Sequence, residues 1–331
     1  MTTPFINRLI TNCLTIAAGC TFFAAAATAQ TQYPTGPVTL VVNLAAGGPL
    51  DLIARMVAEH ATEKLGQPVI VENKTGAAGN VGAQYAARQK PDGHTLLFAL
   101  DTLTTVNPHL YTDLDFDAQD HFKPVSMTGM FNQVLIATPE LGVSNFEEFA
   151  AQAQAGELMY GSAGIGAPGH LTMEMLKQGG NYDLTHVPYQ GNAPAVAALL
   201  SGEVDTGFLI TAGALPHIRA EKLVPLAVSG TERDSALPDV PTIAEMGLPG
   251  LEDFDVQFGM LLMAPADTPD DVVEQWTEII ADSFNDETIR ERLENMNIVP
   301  DYGQPEEAQS FLTEKRAHWK EVIDKAGIKT Q

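Results

Sequence analysis

Ser162 and His170 are the residues of this chain whose types suggest nucleophilic chemistry, because a serine hydroxyl needs a nearby base to attack an acyl group. The run Tyr160-Gly161-Ser162-Ala163-Gly164 lacks the first glycine of a G-x-S-x-G nucleophile elbow, since position 160 is Tyr. The hydroxyl is therefore read as a ligand donor or as a cap for its own turn. His170 is read as a first-turn helix residue facing cleft or solvent. Gly164-Ile165-Gly166-Ala167-Pro168-Gly169 matches G-x-G-x-x-G between a strand and a helix. A dinucleotide site needs that motif to open its domain and an acidic residue to end the next strand. Here that strand ends in Pro188-Tyr189, so no cofactor is expected. The remaining histidines show no helical i, i+4 pair and no ligand spacing, so no metal is expected. No paired carboxylates announce acid–base catalysis.

Anion binding is the chemistry that remains. Val38-Thr39-Leu40-Val41-Val42 reads as a buried strand. Ala45-Ala46-Gly47-Gly48-Pro49 follows, and then Leu50-Asp51-Leu52-Ile53-Ala54-Arg55 with helical spacing. Two glycines allow a sharp turn and close approach, and Pro49 suits a first helical position. Such a junction aims bare N–H groups at whatever lies above the sheet. The alternative is a tight turn that binds nothing. Asp51 and Arg55 are spaced for an i, i+4 ion pair.

The elements that would carry these turns alternate strand and helix. Val69–Asn73 and Thr95–Leu100 follow the first helix as strands, with a glycine-rich turn at Gly76–Gly82 and a turn at Pro91-Asp92-Gly93. This is the βαβαβ unit of a doubly wound parallel sheet, whose ligands sit beyond the carboxyl ends of the strands. Residues Asn107–Lys123 read as an irregular acidic connection. Val134-Leu135-Ile136-Ala137 then crosses into a second α/β region. There a helix from Asn145 is capped by Ser144, and strands are expected at Leu158–Tyr160, Thr185–Tyr189, Val204–Leu209 and Leu223–Ser229. A short helix is expected at Pro216–Glu221. Phe258–Met263 crosses back. Thr268-Pro269-Asp270-Asp271 reads as a capping-box-like start for the helix Val272–Phe284. Helices at Asp286–Met296 and Pro305–Ala326 follow, and Trp276 and Trp319 read as core. The fold class is thus α/β with two lobes and two hinge crossings. Lobe 1 is 30–131 plus 258–331, and lobe 2 is 132–257. Turns Ala45–Asp51, Ser162–His170 and Gln190–Pro194 converge on the cleft between them.

The chain has 331 residues and opens with an apolar stretch after Arg8 that ends in Ala27-Thr28-Ala29. That is a secretory signal peptide over residues 1–29 with an A-x-A cleavage site, which implies export to the periplasm. Lipoprotein anchoring at Cys20 is disfavoured, because Ala17 stands where Leu is usual. Both cysteines, Cys13 and Cys20, lie in this leader. The mature chain therefore carries no disulfide, thiol nucleophile or cysteine-ligated metal. The net charge of −24 argues against nucleic acid and anionic membrane partners.

Taken together, the motifs resemble the periplasmic receptors of tripartite tricarboxylate transporters, the Bug or TctC-like family. The resemblance rests on Gly47-Gly48-x-x-Asp51-x-x-Ala54-Arg55, Leu65-Gly66-Gln67-Pro68, Gly76-Ala77-Ala78-Gly79-Asn80-Val81-Gly82 and Pro91-Asp92-Gly93-His94. It extends through Tyr160-Gly161-Ser162-Ala163-Gly164-x-Gly166, His170-Leu171, His186-Val187-Pro188-Tyr189-Gln190-Gly191 and Leu237-Pro238-Asp239-Val240-Pro241-Thr242. It implies a two-lobe, Venus-flytrap periplasmic binding protein of type II-like architecture. Such a receptor is not an enzyme. It holds a small organic carboxylate, passes it to the membrane subunits of the transporter, and works as a monomer. The implied ligand-binding set is Ala45, Ala46, Gly47, Gly48, Asp51, Asp101, Thr102, Ser162, Ala163, Gly164, Gly166, His170, Gln190, Gly191, Leu209 and Gln257. Three positions depart from the commonest pattern: Phe208-Leu209 where Phe-Asp is frequent, Gln257 where Trp is frequent, and Asp101 where a small hydroxyl residue is usual. Asp101 either meets the ligand at the cleft or caps the following turn. A ligand sensor for a signalling partner and an exported serine hydrolase using Ser162 are the alternative functions.

Overall fold

In the computed structural model, which describes residues 33–329 except 112, 113, 115 and 297, the β-branched runs become the strands of two five-stranded sheets. The expected leader over residues 1–29 lies outside the described residues. The first sheet takes β1 (Val38–Val42), β2 (Val69–Asn73), β3 (Thr95–Leu100), β4 (Phe122–Phe131) and, from far along the chain, β10 (Phe258–Pro265). Its order is β2-β1-β3-β10-β4, with β1, β2 and β3 parallel and β10 antiparallel to both neighbours. The second sheet takes β5 (Gln133–Ala137), β6 (Leu158–Ser162), β7 (Leu184–Pro188), β8 (Thr206–Ile210) and β9 (Val224–Val228). Its order is β7-β6-β8-β5-β9, again with one antiparallel strand, β5, in the fourth place. The two sheets thus share one plan, in which β1 corresponds to β6, β2 to β7 and β3 to β8.

Helices cover the sheets: α1 (Pro49–Leu65), α2 (Asn80–Ala87), the short α3 (Thr102–Thr105), α4 (Asn107–Leu110) and α5 (Ala118–His121), then α6 (Phe146–Ala155), α7 (Pro168–Gly180), α8 (Asn192–Leu200), α9 (Thr211–Arg219), α10 (Asp270–Asn285), α11 (Glu287–Asn295) and α12 (Pro305–Ala326). The β1 strand is almost fully buried, as a central parallel strand with both faces covered must be. One core gathers Val41, Leu97, Leu261, Met263 and Leu312; the other gathers Val134, Ile136, Leu199, Leu209 and Val228. Trp276 and Trp319 are buried, as their spacing suggested.

The chain passes between the sheets at Asn132 and again between β9 and β10. These passages lie side by side. Phe258, which opens β10, is in register with Phe131, which closes β4, and their rings stack 5.7 Å apart. Trp319 of α12 stacks on Phe258 at 5.3 Å. Ser229 Oγ accepts from Gln133 N and donates to Val256 O, tying one crossing to the other.

Local chemistry differs from the sequence reading in four places. Asn145, not Ser144, caps α6, because its Oδ1 accepts the Glu148 N–H at 2.9 Å; Ser144 instead donates to the Glu148 carboxylate. No capping box opens α10, where Pro269 holds the cap position and the Thr268 hydroxyl is buried without a partner. The short helix expected at Pro216–Glu221 is Thr211–Arg219, with Pro216 inside it. The supposedly irregular stretch after Asn107 contains α4 and α5, two single-turn helices whose length is below what periodicity can register.

Candidate ligand-binding site

The β1–α1 and β6–α7 junctions, equivalent in the two sheets, are built alike. Each has a glycine in the left-handed region, Gly47 at φ +83° and Gly166 at φ +77°, where a Cβ would be strained. Each places proline at the first helical position, Pro49 and Pro168, where its missing N–H costs nothing. Each then braces its turn with a side chain from the first helical turn. Asp51 Oδ2 accepts the Gly47 N–H at 2.9 Å, and His170 Nδ1 accepts the Gly166 N–H at 3.0 Å.

The first brace is a charged network. Arg55 Nε and Nη2 both reach the Asp51 carboxylate at 3.0 Å, which realises the expected ion pair, and Asn73 Nδ2 adds a bond at 2.9 Å. Asn73 Nδ2 also donates to Leu44 O, fixing the start of the turn. Burial favours a neutral Asp51, but the bonds from Arg55, Gly47 and Asn73 outweigh it and hold the carboxyl below the usual range. Asp51 is thus occupied by its own turn.

The second brace is an aromatic stack. The His170 and His186 rings lie 4.0 Å apart, and Tyr160 stacks on His186 at 4.7 Å from the facing position on β6. His170 is buried, not turned to cleft or solvent. Burial, then the neighbouring His186 and Lys177, press its pKa down to about 3. His186 falls to about 4, chiefly through burial. Both rings are therefore neutral at ordinary pH, as acceptance of the Gly166 N–H requires.

His186 is the residue that sequence reading missed. Its Nε2 lies 2.7 Å from Ser162 Oγ, closer to that hydroxyl than any feature of the Ser162–His170 spacing implied. The available signals were its place on the strand beside β6 and its position at the head of the His186–Gly191 motif. The pair does not form a nucleophile and base. Ser162 is buried, and its hydroxyl is shared with Gly164 N and Gly164 O inside the turn. A ring with a pKa of about 4 is a weak base near neutrality. Glu174, the carboxylate of this cluster, is committed to the Tyr160 hydroxyl at 2.6 Å and to Lys177 at 2.8 Å.

With Gly47, Gly164 and Gly166 engaged, other N–H groups are left. Among the described residues no acceptor meets the backbone N–H of Ala45, Ala46 or Gly48 in the first turn, or of Ala163 or Ile165 in the second. Ala45, Ala46 and Gly47 are exposed. No lysine or arginine lies within either turn. Gly191 N–H donates to Ala163 O, which fastens the exposed Gln190 loop to the second turn. Gly166 also touches the other lobe: a Cβ placed on it would stand 2.5 Å from Leu110 Cδ1 at the end of α4.

The distal positions are less open. Asp101 is fully buried at the end of β3, and neither carboxylate oxygen has a well-aligned donor. Its backbone carbonyl accepts from the Thr104 and Thr105 hydroxyls, so the turn is fastened by main chain rather than by the side chain. Burial raises the carboxyl to about 7, moderated by the nearby Gly259 N–H and by Lys315. Thr102 is buried beside it, and Leu209 belongs to the second lobe's apolar core. Gln257 is half-buried on the return crossing, bonded to Asp255. Two surface grooves, one flanked by Lys64 and Asp282 and the other by Arg55 and Arg292, include no residue of the glycine turns.

The sequence model described as "Tripartite tricarboxylate transporter family receptor" matches residues 53–328. Three solved structures are similar over most of the chain. Rpa4515 of R. palustris with adipate is 29% identical, covers 90% of this chain and 100% of its own, and superposes with a TM-score of 0.82. The periplasmic binding protein BugD is 32% identical, covers 90% and 100%, and has a TM-score of 0.78. MatC of Rhodopseudomonas palustris with bound malate is 29% identical, covers 88% and 100%, and has a TM-score of 0.77. The chain belongs to the tripartite tricarboxylate transporter receptor family, a family of solute-binding proteins and not of enzymes.

Proposed function

We propose that this chain is a periplasmic receptor whose cleft takes a small organic carboxylate, with dicarboxylates as the first class, and delivers it to a membrane transporter of the tripartite tricarboxylate type. The observation that carries the reading is the pair of equivalent glycine turns with unpaired N–H groups at Ala45, Ala46, Gly48, Ala163 and Ile165. Neutral N–H donors at helix N-termini suit an anion in a chain too acidic to attract one from a distance. The adipate and malate of two similar structures point to the same class. We assign the contacts to the backbone of Ala45–Gly48 and Ser162–Gly166, bordered by Thr102, Gln190, Gly191 and Gln257. Asp51 and His170 act as braces, and Asp101 and Leu209 lie behind the surface. We divide the mature chain into lobe 1, residues 30–131 plus 258–331, and lobe 2, residues 132–257, acting as a monomer. The export leader and the periplasmic site of action follow from the same reading.

A thermal-shift screen over mono-, di- and tricarboxylates tests this directly. A true ligand at a hundredfold excess over its dissociation constant adds about 2.7 kcal/mol of apparent stability. The same ligand should compact the protein in small-angle scattering, as closure about the two crossings requires. If no carboxylate shifts the melting point, the receptor assignment fails.

A further inference from the structure

The two braces differ in kind, although they occupy equivalent places. Asp51 is locked by Arg55 and Asn73, whereas His170 holds its glycine through a single neutral ring nitrogen. The glycine it holds is also the one seated against the opposite lobe. A Cβ on Gly166 would meet Leu110 Cδ1 at 2.5 Å and Val106 Cγ1 at 3.6 Å, so the turn packs closely there and leaves no room for a side chain unless Leu110 moves. The stack His170–His186–Tyr160 fixes the plane of the accepting ring, and the Ser162 hydroxyl joins the middle ring, His186, to Gly164 in the turn.

We propose that His170 is a positioning residue for ligand capture: through its bond to Gly166 N–H it shapes the 163–167 turn to seat on Leu110 of the facing lobe, and it touches no ligand itself. Accepting that N–H also removes it from the donors offered to a carboxylate, leaving Ala163 and Ile165. The inference deepens the receptor reading, and it relies on that reading only for the ligand; the brace is a property of the folded chain.

The test uses hydrogen exchange on the full mature protein without ligand, comparing His170→Phe and His170→Asn with the parent. Phe keeps a stacking ring and removes the acceptor. Asn keeps an acceptor near the Nδ1 position and removes the ring. We expect His170→Phe to speed exchange at Gly166 and at Tyr111, beside the seat, by about tenfold or more, while His170→Asn stays near the parent. Should the Phe side chain prove too large to fold, His170→Leu takes its place. Unchanged exchange at Gly166 in the acceptor-free variant overturns the proposal. So does equal loss in both variants, or loss spread over β6 and β7, because either means that His170 merely fills the core. A carboxylate screen without hits would remove the receptor reading and leave this result standing.

Discussion

Asp51 and His170 hold equivalent places in the two lobes, each accepting the N–H of the residue four positions earlier, at 2.9 Å and 3.0 Å. Each thereby fixes a left-handed glycine just before a helix that opens with proline. The arrangement separates two jobs within one turn. One N–H is spent on shape, and its neighbours, without an acceptor among the described residues, are the ones we propose for a ligand.

The first prediction follows at Gly48. Its backbone is extended, φ −80° and ψ 168°, so any residue can adopt it, and an added Cβ would meet only Ala45 O at 3.7 Å. Gly48→Ala should therefore leave stability unchanged or raise it by up to about 1 kcal/mol. In the proposed site its methyl group would project where the carboxylate approaches the turn. Affinity for the screened carboxylate should fall in Gly48→Ala and vanish in Gly48→Val, as read by calorimetry. Full affinity in a folded Gly48→Val protein would mean the ligand does not approach this backbone.

At Gly166 the expected outcome is different. Gly166→Ala meets both a positive φ and the Leu110 side chain. Left-handed strain costs about 1–2 kcal/mol, and the contact must open as well. We expect lower stability and roughly tenfold weaker binding. Leu110→Ala combined with Gly166→Ala should recover part of the affinity but not the strain. Lack of any recovery would show that Leu110 is not the surface on which the turn seats.

Much of this was legible before any coordinates. The sheets, the two crossings and the glycine turns follow from β-branched runs and from the Gly-Gly-Pro and Gly-rich turns between strand and helix, and the Asp51–Arg55 pair from helical geometry. The use of individual N–H groups was not legible. Gly47 looks like a ligand donor until Asp51 is seen to accept its N–H, and nothing in the spacing of Ser162 points to His186 on another strand. Such pairings depend on register between strands distant in sequence. The short helices α4 and α5 escaped because one turn has no periodicity to detect.

The Asp51 network predicts a specific acid sensitivity. Its pKa is depressed in the folded chain, so its contribution is present above the unfolded value of 3.8 and is lost as pH falls through the folded value. Asp51→Asn should lower stability near neutrality by about 1.5–3 kcal/mol, the range for bonds to a charged group. The difference from the parent should shrink below about pH 4. Melting curves from pH 3 to 8 measure it. A constant difference over that range would show that packing, not charge, is lost.

Asp101 behaves in the opposite sense. Burial raises its folded pKa from 3.8 to about 7, so the folded state favours the protonated acid. Any stabilisation it gives is complete below 3.8 and disappears as pH rises to about 7, above which the buried charge is a net cost. Asp101→Asn keeps the shape without the charge. It should match the parent at acid pH and exceed it above pH 7 by up to about 4 kcal/mol, the value of three pKa units. A ligand arm separates this from direct recognition. If Asp101 met the ligand, Asp101→Ser would weaken malate, which carries a hydroxyl, and strengthen adipate, which offers only carboxylates. Because its side chain is fully buried, both affinities should instead move together, following stability alone. Opposite shifts for the two acids would put the carboxylate of Asp101 at the ligand after all, and would require the cleft floor to open before binding.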